Sequence, residues 1–82
     1  MTRPAKLGII AGGGALPVQL YDACCQAGRP VFLVAFEGQA EPERLAAIPC
    51  AWSRLGALER TLKLLHEAGV EELVMAGTFR RP

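Results

Sequence analysis

The chain has 82 residues, 51% hydrophobic and 21% charged, with a net charge of +1. A domain of this length buries only roughly 60% of the surface its unfolded chain exposes, so one domain with a thin core is expected. The composition excludes long-range disorder, and the near-zero charge gives no bulk attraction to nucleic acid or anionic lipid.

Lys6 to Ala11 reads KLGIIA. A short apolar run with β-branched isoleucines predicts a strand buried on both faces. Gly12, Gly13 and Gly14 break it, and Pro17 suits the first turn of a helix, where its missing N–H costs little. The helix is expected from Leu16 to Ala27, with Leu16, Leu20, Ala23, Cys24 and Ala27 as its apolar stripe. Gly28 then offers a left-handed cap, and Pro30 blocks continuation. Val31 to Phe36 (VFLVAF) is a second buried strand. After the loop Glu37 to Ala40, one or two helical turns are expected over Pro42 to Ala47, ended by Ile48-Pro49.

Cys50 to Arg54 (CAWSR) reads as a short third strand. A second long helix follows from Ala57 to Ala68, with Leu58, Leu62 and Leu65 on one face and Glu59 and Lys63 paired on another. Gly69 closes it, and Glu72 to Ala76 (ELVMA) is the fourth strand. Strands alternating with helices at this spacing force parallel pairing, and right-handed crossovers place helices on both faces. The expected fold is therefore a single α/β domain, a Rossmann-like three-layer sandwich with a mainly parallel four-stranded sheet in the order 3-2-1-4.

In such a sheet a ligand sits beyond the carboxyl ends of the strands, where strand order reverses. The residues delivered there are Gly12, Gly13, Gly14, Gly77 and Thr78. Glycines admit close backbone approach, and N–H groups beside a helix N-terminus suit phosphate or another anion. The plainer reading is a tight turn, but one glycine would suffice for that. The dinucleotide fingerprint is incomplete, because Pro17 stands where its third glycine would be, although Glu37 occupies the place of a ribose-binding acid. A P-loop is excluded, since no G-K-[ST] follows.

Other residues give weaker signals. Cys24, Cys25 and Cys50 are odd in number and lack C-x-x-C spacing, which fits reduced thiols in a cytoplasmic protein. Cys24 on its helix and Cys50 on its strand read as small buried hydrophobes. His66 has no acid or cysteine partner at motif spacing, so a capping or solvated role is expected. Trp52 reads as a core or interface anchor. Ser53 lacks a nucleophile elbow, and no metal-ligand cluster is visible. Arg80-Arg81 form a small basic end, open to phosphate or solvent. No run reaches the ~18 apolar residues of a membrane helix, and the charged start followed by a short, glycine-broken apolar run is not a signal peptide.

Three stretches, KLGIIAGGGALP, GRPVFLVAFEG and GVEELVMAGTFRRP, together with Ala51 to Gly56 (AWSRLG), resemble the N-terminal domain of the LpxI-type UDP-2,3-diacylglucosamine pyrophosphatases. The resemblance runs from Lys6 to Pro82. It implies a hydrolase of lipid A synthesis in Gram-negative bacteria, cytoplasmic or peripheral to the inner membrane. Such an enzyme cleaves UDP-2,3-diacylglucosamine to 2,3-diacylglucosamine 1-phosphate (lipid X) and UMP with a divalent metal, Mg or Mn. It also implies a second, C-terminal domain that holds the metal and the catalytic acids, with substrate between the two. On this reading residues 1–82 form the N-terminal domain alone, with no catalytic or metal-binding residue of its own. Gly12, Gly13, Gly14, Gly77 and Thr78 are then the expected contacts to substrate phosphate or sugar, and the chain alone is expected to be inactive. Two other readings stand beside it: a nucleotide- or NAD-binding module of another enzyme, and a non-enzymatic interaction domain that forms a homo-oligomer.

Overall fold

A computed structural model describes residues 4–80. The elements run β1 (Leu7–Ala11), α1 (Leu16–Gln26), β2 (Val31–Phe36), α2 (Pro42–Leu45), β3 (Ala51–Ser53), α3 (Leu58–Glu67) and β4 (Glu72–Ala76). The sheet order is β3-β2-β1-β4, as expected. All three strand pairings are parallel: Ile9 lies beside Leu33 on one side and Val74 on the other, and Ala35 lies beside Trp52. The central position of β1 explains its composition, because every one of its five residues is buried.

Two cores flank the sheet. On one face Leu7, Ile9, Ala11, Leu33, Ala35 and Ala76 pack against Cys24 of α1 and Leu45 of α2. On the other, Ile10, Val34 and Phe36 pack against Leu65 of α3, with Val70 and Phe79 at the margin. Both long helices end as anticipated, at Gly28 and Gly69 with φ of +70° and +75°.

The helix faces depart from expectation. In α1 the buried residues are Pro17 and Cys24, with Val18, Leu20 and Tyr21 packed against the core. Leu16 is 53% exposed, and Ala23 and Ala27 are also exposed. The stripe is anchored on Pro17, whose ring fills the space under the first turn, so Leu16 is turned outward. In α3 the buried residues are Thr61 and Leu65, while Leu58 and Leu62 are 64% and 53% exposed. Here a polar contact sets the rotation. Thr61 Oγ1 bonds Ser53 Oγ of β3 at 2.8 Å and reaches the Ala57 carbonyl at 3.1 Å. A buried hydroxyl must find a partner, and this pair satisfies two of them at once. Cys50 is half-buried and immediately precedes β3 rather than lying within it.

Candidate functional site

The carboxyl ends of the strands open onto a cleft of about 1040 Å³, lined by Gly13, Gly14, Glu37, Gln39, Trp52, Thr78 and Arg80, among others. It lies where strand order reverses, the expected ligand position for an open parallel sheet. Of the five candidate residues, Gly13, Gly14 and Thr78 line it, while Gly12 and Gly77 adjoin them in the chain without lining it. Gly13 and Thr78 form a single antiparallel bridge, each N–H donating to the other's carbonyl at 2.9 Å. The Gly12 N–H donates to the Ala76 carbonyl at 2.8 Å. The N–H groups of Gly12 and Gly13 are thus taken up inside the fold. Of the glycine turn, Gly14 is the cleft-lining member whose N–H is not drawn into a backbone bond, and the first turn of α1 starts two residues further on. That turn has no acidic residue and no side-chain cap, so its orphan N–H groups are open to an acceptor.

The same geometry gives two glycines a packing reason. A Cβ on Gly12 would stand 2.5 Å from the Thr78 carbonyl oxygen and 3.0 Å from the Phe79 ring. Gly77 has φ +105°, and a Cβ there would meet the Gly13 oxygen at 2.6 Å. These two positions let the segment after β4 cross directly over the end of β1. Gly13, Gly14 and Thr78 are the members of the set that line the cleft itself.

The rim is built from the loop after β2 and the segment after β4. Glu37 is exposed, and its backbone N–H is fixed by the Ser53 carbonyl at 2.8 Å. The Gln39 side-chain amide donates to the Arg80 carbonyl at 2.8 Å and accepts from the Arg80 N–H at 2.6 Å. This two-bond clamp had no sequence signal, since a loop glutamine carries no motif. Trp52 packs one side against the α1 core while lining the cleft, so it is a core anchor that also forms a wall. Glu41 and Glu43 add carboxylates at the lip, and Glu41 is ion-paired with Arg44. Arg81 lies outside the described residues.

The remaining candidates lie elsewhere. His66 is exposed in the last turn of α3 and lines a different groove, beside Glu71 and Glu72. Ser53 is buried and bonded to Thr61. Cys24, Cys25 and Cys50 are all free thiols, and burial pushes the Cys50 thiol up. Among the described residues no three His, Cys, Asp or Glu side chains are grouped to hold a metal ion. Nor is any helix among them long and apolar enough to cross a membrane.

A family model described as the LpxI N-terminal domain matches residues 6–82. The chain belongs to this family. The UDP-2,3-diacylglucosamine pyrophosphatase LpxI of Caulobacter vibrioides is 39% identical over 77 residues, which cover 94% of this chain. The chain spans about a quarter, 27%, of that curated relative's length. The LpxI relationship bears out the resemblance carried by the glycine turn and the ending of the sequence. The relative's name also places it among the pyrophosphatases, a class of hydrolases.

Proposed function

We propose that this chain is the substrate-holding N-terminal domain of a UDP-2,3-diacylglucosamine pyrophosphatase. The reaction would hydrolyse the pyrophosphate bond of UDP-2,3-diacylglucosamine to give lipid X and UMP in lipid A synthesis. The observation that carries the reading is the cleft formed by Gly13, Gly14 and Thr78 at the switch point of an LpxI-family sheet. The open N–H groups at Gly14 and the start of α1 would take phosphate oxygens, with the Thr78 hydroxyl beside them. Glu37 on the rim is the acceptor that a ribose diol needs.

The described residues do not fit the expected divalent metal. The cleft carboxylates are not grouped as ligands, and the one histidine lines another groove. In this proposal the Mg or Mn and the catalytic acids belong to a C-terminal domain, and the chain alone binds without turnover. The enzyme works in the cytoplasm or at the inner membrane surface, where a substrate with a nucleotide head and acyl tails is reached.

The test is turnover of UDP-2,3-diacylglucosamine by the two-domain protein. Gly14→Asp has open space for its side chain, although φ +89° strains any residue but glycine there. Its carboxylate repels phosphate in the cleft, and kcat/KM falls by about a hundredfold. Thr78→Ala removes one hydrogen bond and lowers kcat/KM roughly three- to tenfold. Wild-type turnover in both variants rules the cleft out as the substrate site. Titration with NAD in parallel addresses the dinucleotide alternative: NAD binding without any response to UDP-sugars replaces the hydrolase reading.

A further inference from the structure

The α3 face of the sheet is only half covered. Ladder partners project to the same side, so Leu73 stands with Gly8 and Phe32, and Met75 with Ile10 and Val34. Ile10 and Val34 are buried, yet Leu73 and Met75 are 50% and 58% exposed. α3 sits towards β2 and β3, and its own Leu58 and Leu62 are left bare. Beside them lies a groove of about 390 Å³ lined by Leu62, Leu65, Val70 and Leu73, with His66, Glu71 and Glu72 as its polar margin. An all-parallel sheet is stable with both faces covered, so an apolar stretch on edge strand β4 calls for an occupant.

Three observations identify it. The chain leaving β4 already turns onto this face, because Phe79 packs into the α3-side core, edge-on to Phe36 with ring centroids 6.1 Å apart. Connections between parallel strands are right-handed. The step from β1 to β2 carries α1 on one face, whereas the step from β3 back across to β4 carries α3 on the opposite face. If a further strand pairs outside β4, the chain continues in that second direction and the connecting helix falls on the α3 face, over β4. Finally, most of the Caulobacter relative lies outside the matched region, which leaves ample chain to supply such a unit.

We infer that Leu62, Leu73 and Met75 form the seat of an amphipathic helix, contributed by the segment that follows Arg80 in a longer protein. That helix completes the domain and sits beside α3. The inference is independent of what the cleft binds, so the two readings fail separately.

Met75 is its own reporter. In the longer protein, hydrogen peroxide should oxidise Met75 at least about tenfold more slowly in the native state than in urea, read by peptide mass spectrometry. The protection should persist on dilution. Photo-methionine at position 75 should then crosslink to a peptide within about thirty residues after Arg80, the span of one strand–helix–strand unit. Oxidation at the unfolded rate shows the face to be bare and overturns the inference. Protection lost on dilution assigns the seat to a second copy, and a crosslink to a more distant segment assigns it to another domain; either result overturns it as well.

Discussion

The two faces of the sheet are built from the same strands and are finished to different degrees. On the α1 face, Ile9, Leu33 and Ala35 are fully buried beneath one long helix and one short one. On the α3 face, a smaller cluster of Ile10, Val34, Phe36 and Leu65 sits beside the bare Leu73 and Met75. Alternation along β4 makes the contrast sharpest, since Val74 packs against the α1-side core while its two neighbours face outward. One face therefore has the larger buried cluster, and the other leaves apolar side chains of β4 exposed.

Substitutions that report on each face can break or sharpen this contrast. Leu33→Ala opens a cavity in the sealed face, where collapse is hardest, and should cost about 3–4 kcal/mol in urea unfolding. A loss below about 1 kcal/mol would mean that the two faces are equally loose. Gly12→Ala acts where the segment after β4 crosses β1. The new methyl meets backbone at 2.5 Å, which cannot swing aside as a side-chain end can. We expect a loss of about 2–3 kcal/mol and disruption of the bridge between Gly13 and Thr78, visible as faster amide exchange at both.

Thr61→Val keeps the shape under α3 but leaves the buried Ser53 hydroxyl without its partner, at about 1–2 kcal/mol. The double change Thr61→Val with Ser53→Ala should recover most of that loss, because both unpaired groups are then gone. Met75→Ala in the 82-residue chain should change stability by less than about 0.5 kcal/mol, as an exposed side chain does. A large effect there would mean that the α3 face is already covered, for instance by a second copy.

The smallest effect is chemical. Burial raises the pKa of Cys50, so at pH 8 its thiolate fraction is below that of a free cysteine. Alkylation of Cys50 should lag a free thiol, and the gap should narrow as pH rises through the raised value. Cys24, buried in the α1-side core, should react last, and exposed Cys25 first.

Much of this architecture was legible in the residues. The β-branched runs KLGIIA, VFLVAF and ELVMA, with glycine after each long helix, gave the elements, the parallel pairing and the strand order. The cleft was legible by location, because topology alone puts Gly13, Gly14 and Thr78 at the switch point. Its internal wiring was not. Nothing local marks Gln39 as the clamp on Arg80, and nothing local shows that Gly12 is a glycine because Thr78 passes over it. The helix faces differ from the apolar periodicity for a related reason. Periodicity finds apolar residues at helical spacing, but α3 turns on a buried polar pair, Thr61 with Ser53.

The sequence by itself determined the order of strands and helices, the parallel sheet and the family, because each rests on local propensity and on motifs that lie within single stretches. The tertiary structure decided which glycines serve packing and which line the cleft, which way each helix faces, and that one face of β4 is left open. Those outcomes depend on backbone approaching backbone across more than 60 positions, as at Gly13 and Thr78. Contacts of that kind leave no periodic trace along the chain.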